Sequence, residues 1–575
     1  MLQAAPQQDV EGATGTPPGT LPGDAERTGS PPPRHWWVPS WPPGPAELFG
    51  WLTWLVVAFG TVLRIRQWLP GRSFWLDELL LLRAMSEQPL WKVLRPLTLN
   101  QSAPPGWLFV EHLILDVYPG ERGARLLPLL FGIGTVVLTA LLARTLLGPV
   151  AALAATAVVA VSPALVQYSV ELKPYSADGF WLLLVLLLAV RVVLRRGPFL
   201  RGAVTLGAVA TVAVCSSHVA AIGTAGMFVA LGLVTLAGRR WRELPVLAAC
   251  AAPAAVLLAV EYVTLLSKNA ANPVLAAYWR ASFPPPGPLR WSVGSHWLAG
   301  RIVGLVRNPL YWRPSQALLV LALAGLVVLG VRKPRALPVV LMAAGAVTAA
   351  ALFRVYPLSV RLAVWMIPLV AIVVAAPLDL LLVGTERWRL PRLPAVAWYG
   401  SVAVAALLAL AAAGQLVTVV RPNVRLDLHY LAEPRQQEES RPALQIIARD
   451  RRPGDLVLVE ARGSVPAAEY YGPRLGLGGY ELIRKLPPTP DCPRVRPGAM
   501  LRADRSVRRI WLFYSHTGPP TVVQLAANLA GFGPLTFRRA FVIAGVLRFD
   551  RSAAPPDPSA RAPHYCARIE PATGG

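Results

Sequence analysis

Between residues 47 and 420 the chain returns repeatedly to apolar runs of roughly twenty residues, each long enough as a helix to cross about 30 Å of hydrocarbon. No other feature constrains the fold as strongly. The runs fall at about 47–68, 124–146, 149–168, 179–194, two within 202–236, and then 244–265, 315–331, 337–353, 361–383 and 394–420. That is about eleven spans. Hydrophobic residues make up 54% of the chain and charged residues 15%, against about 25% charged in soluble domains. The sequence therefore predicts an all-α polytopic membrane protein.

The formal net charge of +25 arises from 56 Lys+Arg against 31 Asp+Glu. In a soluble chain that balance would suggest nucleic acid. Here the arginines sit mainly in short loops between spans, which points to anionic lipid, and nucleic acid is not expected. The loops after the fourth, sixth, eighth and tenth spans are the basic ones (RRGPFLR, GRRWR, VRKPR, TERWRLPR). Their alternation predicts a cytoplasmic N-terminus and an extracytoplasmic C-terminus in the plasma membrane. Arg64 and Arg66, at the outer end of the first span, run against that pattern.

Three regions follow: a Pro-rich, disordered tail over 1–45, a membrane domain over 46–420, and a smaller domain over 421–575 with a disordered end. The first span is expected to act as an uncleaved anchor. In the last region helical spacing (RPALQIIARD) and strands (DLVLVEA, RRIWLFYS, FVIAGVLRFD) alternate, which predicts an extracytoplasmic α/β domain. It has no Gly-rich phosphate loop after a strand. Cys215 and Cys250 fall in spans and suit packing, whereas Cys492 and Cys566 are a candidate disulfide.

The stretch 72–125 lies between the first two spans. Its RSFWLDELLLLRAM segment sets Asp77 and Glu78 in an apolar run suited to a membrane interface, and APPGWLFVEHLILDVY is a second helix too short to cross. Helical neighbours point about 100° apart, so the two acids cannot serve one substrate atom alike. They are either a catalytic pair or the solvated rim of an amphipathic helix. Apolar surroundings would raise a carboxyl pKa toward that of a general base.

Other candidates sit in neighbouring turns. QYSVELKPYSAD offers Tyr168, Glu171, Lys173, Tyr175 and Asp178, which would hold a sugar hydroxyl and a phosphate, or form a plain loop ion pair. FRVYPLSVR places Arg354 and Arg361 where a phosphate is reachable, with snorkelling to lipid headgroups as the alternative. Arg125, closing ERGAR, and His112, beside Glu111, are weaker substrate-binding candidates, and His218 is ambiguous. The aromatics over 278–312 (Tyr278, Trp279, Trp291, Trp297, Trp312) suit either stacking on a sugar or prenyl chain or an interfacial belt. No second His stands at metal-ligand spacing.

WLDE after the first span, SAPPGWLF about 25 residues on, RLLPLLFGIGTVVLTALLARTLLG and SPALVQYSVELKPYS together resemble the N-terminal half of a glycosyltransferase group. It is the group of GT-C-fold membrane enzymes of the protein O-mannosyltransferase, aminoarabinose transferase and rhizobial lipopolysaccharide transferase type. The resemblance covers roughly 47–380. It implies transfer of a sugar from a polyprenyl-phosphate donor to a glycan, lipid or protein acceptor outside the cytoplasm, with inversion. It also implies Asp77 as base, Glu78 as its neighbour, Glu171 as second-loop acid, and Lys173 and Arg361 on the phosphate side. Tyr175 stands where the aminoarabinose-type enzymes place an Asp, and the C-terminal domain departs from the group's best-known members. No tightly bound cofactor is implied; a divalent cation at Asp77–Glu78 stays open without ligand spacing to support it. Two other functions remain open, a transporter or flippase of lipid-linked sugars and a membrane anchor that displays the C-terminal domain. Charges clustered at one face rather than at mid-membrane favour the enzyme over the transporter.

Overall fold

The computed structural model describes residues 45–285, 287, 291–312, 316–382, 395–486, 497–551 and 566–572. The expected N-terminal tail, the basic TERWRLPR loop and Cys492 lie outside these residues. In chain order the helices are α1 (Pro45–Trp68), α2 (Leu76–Ser86), α3 (Pro105–Val117), α4 (Leu126–Leu146), α5 (Pro149–Ala160), α6 (Pro163–Tyr168), α7 (Tyr175–Val193), α8 (Phe199–Ser216), α9 (His218–Ala237) and α10 (Leu244–Glu261). They continue with α11 (Ser267–Ala270), α12 (Pro273–Trp279), α13 (Trp291–Arg307), α14 (Gln316–Arg332), α15 (Leu337–Leu352), α16 (Met366–Ala375), α17 (Asp379–Leu382) and α18 (Ala395–Ala432).

Among the described residues seven helices are long and apolar enough to cross a membrane: α1, α4, α7, α8, α9, α10 and α18. Four shorter apolar stretches, at α5, α14, α15 and Met366–Leu378, accompany them. The protein is a polytopic helical membrane protein. Within the bundle α4 packs on α7, α9 on α15, α8 on α10 and α5 on α16.

Local chemistry explains where helices break. The run expected to be one span over 149–168 divides because Ser162 caps a new helix and Pro163 cannot continue the old hydrogen-bond ladder. Between α8 and α9, Ser217 accepts from the Ala220 N–H at 2.9 Å and donates to Asp178 of α7 at 2.6 Å. At Gly106 in the APPGW turn, a Cβ would lie 2.9 Å from both the carbonyl oxygen and Sγ of Cys215. Only glycine lets α3 seat directly on the end of α8.

The C-terminal part adds α19 (Ser440–Asp450), β1 (Asp455–Glu460), α20 (Val465–Arg474), β2 (Glu481–Leu486), α21 (Pro497–Ala503), β3 (Arg509–Ser515), α22 (Pro519–Leu529), β4 (Leu535–Ala540), β5 (Ala544–Asp550) and β6 (Cys566–Pro571). The strands form one sheet in the order β4-β5-β3-β1-β2-β6. Its centre is parallel (β3, β1, β2) and its flanks antiparallel. The strands over β2, β4 and β6 and the helix α21 are additions to the elements read from sequence. Cys566 is disulfide-bonded.

Alternation along the central strands sends two faces in opposite directions. Leu458, Ile510 and Leu512 pack with Leu525 and Leu529 of α22. Val457, Val459, Trp511 and Phe513 join Ala443 and Leu444 of α19, and that cluster continues into Phe74, Leu79, Leu81 and Trp107 of the first loop. The acidic loop and the sheet therefore share one apolar core on one face of the membrane bundle. Polar contacts reinforce it. The Phe74 N–H donates to the Tyr471 hydroxyl at 2.8 Å, Arg441 meets Glu121 at 2.7 Å, and Arg83 pairs with Glu469.

Candidate active site

The adjacent acids at the start of α2 have separate surroundings. Glu78 is at the third helical position, and its carboxylate reaches back to accept from the Trp75 N–H at 3.1 Å, the return half of a capping box. It also accepts from Arg125 Nε at 2.8 Å and Nη2 at 2.5 Å, and from the Leu172 N–H at 2.7 Å. Burial alone would raise its pKa, but Arg125, Arg72 and the Leu172 N–H outweigh that and hold it below the usual value. Glu78 thus ties the acidic loop to the 169–174 turn.

Arg125 is buried in the same knot. Besides Glu78 it donates to the carbonyls of Arg72 at 2.6 Å and Ser73 at 3.0 Å, and its guanidinium lies over the Phe74 ring. Four of its hydrogen bonds, from Nε, Nη1 and Nη2, thus go to the protein itself.

Asp77, one residue earlier, faces the other way. Its Oδ2 accepts from Arg361 Nη1 at 2.5 Å, and Arg361 Nη2 donates to the Tyr278 hydroxyl at 2.6 Å. Arg361 also lies over the rings of Tyr278 and Trp279. Burial would lower the Arg361 pKa, but Tyr175, Asp77 and Tyr278 outweigh it and hold the guanidinium firmly protonated. Asp77 and Arg361 both stay partly open to solvent. The late turn and the first loop, 284 residues apart, meet here.

Lys173 completes the cluster. Its Nζ donates to Gln101 Oε1 at 2.9 Å; burial pushes its pKa down to about 8, with Asp77 opposing. Tyr175 packs edge-on against Tyr168, with ring centroids 5.2 Å apart. Glu171 is buried. One of its oxygens accepts from Gln167 Nε2 at 2.8 Å, and the other has no hydrogen-bond partner among the described residues. Burial raises its pKa, with Arg72 opposing.

Three candidates stand apart. His112 is half-buried on α3, where burial lowers its pKa and Asp116 opposes. Arg354 donates to the Pro284 carbonyl at 2.8 Å and lies over Phe283, away from Asp77. His218 is partly buried at the start of α9, and its buried Nε2 lacks a partner among the described residues. No group of three or more His, Cys, Asp or Glu set to hold a metal occurs among the described residues.

Sequence reasoning passed over Gln101, which follows the Thr-Leu-Asn turn, and singled out Tyr278 only as one of several aromatics. The NQSAPP and AAYWR stretches held the signal: polar or aromatic side chains in loops that reach the same membrane face as WLDE.

Among solved structures, the chain is similar to ArnT from Cupriavidus metallidurans bound to undecaprenyl phosphate, with 14% identity over 89% of this chain and 99% of that one and a TM-score of 0.47. The apo form of the same protein gives 15% identity over 87% and 98%, with a TM-score of 0.46. The Archaeoglobus fulgidus oligosaccharyltransferase complexed with Zn and sulfate gives 13% identity over 84% and 72%, with a TM-score of 0.42. No sequence-family profile matches the chain, and no curated protein does.

Proposed function

We propose that the protein is a GT-C-type membrane glycosyltransferase that moves a sugar from a polyprenyl-phosphate donor to an extracytoplasmic acceptor with inversion. The observation that carries this reading is the pairing of Asp77, a partly open carboxylate, with Arg361, beside Lys173 and against the Tyr278 and Trp279 rings. A carboxylate that can take a proton stands next to two cations that can take a phosphate. The resemblance of WLDE, SAPPGWLF and SPALVQYSVELKPYS to such enzymes supports the same reading.

In the proposed step Asp77 accepts the proton of the acceptor hydroxyl as its oxygen bonds to the anomeric carbon. The bond from that carbon to the phosphate oxygen breaks, and its electron pair leaves with the lipid phosphate. Attack opposite the leaving group inverts the centre. Arg361 and Lys173 stabilise the charge that develops on the phosphate, where preorganised donors act most strongly. Glu78 and Arg125 hold the loop that carries Asp77, and Glu171 with Tyr175 lines the donor side.

The test is transfer of radiolabelled sugar from undecaprenyl-phosphate donors (mannose, galactose and arabinose forms) to endogenous envelope acceptors in membranes. Wild type and Asp77→Asn are compared at matched expression. Turnover lost with undecaprenyl-phosphate binding retained is the expected result. Unchanged transfer removes Asp77 from the chemistry. Movement of lipid-linked sugar across the bilayer by a wild type that performs no transfer overturns the enzyme reading in favour of a transporter.

A further inference from the structure

The C-terminal sheet presents the carboxyl ends of its parallel strands toward the acidic loop. Open α/β sheets bind ligands at that edge. β3 ends in Ser515, and the next residue, His516, takes a left-handed backbone with φ of 53°, a conformation that costs a non-glycine residue energy and is found at functional turns. Its N–H donates to the Ile543 carbonyl at 2.9 Å, which fixes the turn.

The imidazole is aimed rather than loose. His516 Nδ1 lies 3.4 Å from Glu438 Oε2. Glu438 is buried and immobilised. The Ser440 and Ser515 hydroxyls each donate to its Oε1 at 2.5 Å, and its Oε2 accepts from the Leu76 N–H, the residue before Asp77, at 3.1 Å. The ring sits beside Trp75, with centroids 6.3 Å apart, and its side chain is 38% exposed. Glu438 and Asp77 are the charged groups that bear on it, and both favour its protonated form. With Nδ1–H directed at Glu438, Nε2 is the nitrogen left for another partner, on a ring that stays partly exposed and within the electrostatic reach of Asp77.

We propose that His516 is an acceptor-binding residue contributed by the C-terminal domain: its Nε2–H holds an acceptor oxygen neighbouring the one that Asp77 deprotonates. The domain then forms the acceptor half of the transfer site, and Glu438 is its positioning residue. This deepens the transferase reading and rests on it.

The experiment compares His516→Ala and His516→Gln with wild type in membranes. The same labelled undecaprenyl-phosphate sugars are supplied, and transfer to envelope acceptors is measured alongside release of free sugar to water. Loss of one charge-assisted hydrogen bond predicts that H516A lowers transfer about tenfold. Release to water and undecaprenyl-phosphate binding should stay at wild-type levels. H516Q, which keeps a donor, should recover part of the transfer. A parallel fall in transfer and release would make the residue structural or donor-side, and unchanged transfer would remove it from the site; either overturns the proposal. A wild type that neither transfers nor releases sugar overturns the transferase reading, and this proposal with it.

Discussion

Asp77 and Glu78 are chain neighbours, and each is paired with an arginine across the fold, yet their pairs differ in kind. The Glu78–Arg125 pair is closed, at 0% and 2% side-chain exposure, with four hydrogen bonds on the carboxylate. The Asp77–Arg361 pair is open, at 24% and 20%, and shares its arginine with Tyr278. One 100° step around α2 separates a carboxylate saturated by protein from one that stays partly exposed. A closed pair fixes a loop, whereas an open one keeps its carboxylate within reach of solvent.

The comparison breaks most sharply at Asp77. Asp77→Asn removes the proposed base while keeping the shape, and a fall in transfer of about 10²–10⁴-fold is expected with little change in thermal stability in detergent. Glu78→Gln should show the opposite balance. Leaving Arg125 buried without its partner costs about 3–5 kcal/mol, read as a lower melting temperature, with activity falling only as folded protein is lost. If both variants lost activity equally at unchanged stability, the division of labour between the two acids would fail.

The closed pair also has a pH signature. Glu78 has a depressed folded pKa, so its contribution to stability is complete above about 4.5 and is lost as pH falls through the lower folded value. Wild type in detergent should therefore resist mild acid and E78Q should show no such acid-dependent step, measured by melting at stepped pH.

Smaller effects sharpen the open pair. Arg361→Lys keeps the charge but loses the planar fork, and donor affinity should drop by about tenfold, measured by undecaprenyl-phosphate competition. Lys173 gives the smallest and most specific effect. Its folded pKa of about 8 lies below the ordinary 10.5, so a charged Lys173 destabilises the folded state below pH 8, and stability rises as pH climbs from 8 toward 10.5. Donor affinity should move the other way, weakening a few-fold above pH 8 as the ammonium neutralises. K173R should abolish both trends.

Much of the architecture was legible. Apolar runs of membrane-crossing length, the alternating strands and helices of the C-terminal part and the gathering of charge in turns between spans follow from period and hydropathy, which are properties of short stretches. WLDE and FRVYPLSVR could be nominated for the same reason: charged residues next to apolar spans demand a partner. Which partner each takes was not legible. Asp77 meets Arg361 across 284 residues, and Glu78 meets Arg125 across 47. Arg125 and Arg361 look alike as charged residues beside spans, and packing gives them different carboxylate partners.

The amino-acid order by itself determined a polytopic membrane protein with an α/β domain and a short list of acids and bases near one face, because burial of apolar surface and local turn chemistry act over a few residues. Only the tertiary structure decided which acid is spent on the protein and which is left open. It alone docked the strand ends of the C-terminal sheet, with Glu438 and His516, onto the loop that carries Asp77. Such pairings depend on a shared apolar core joining segments hundreds of residues apart, and no local pattern encodes them.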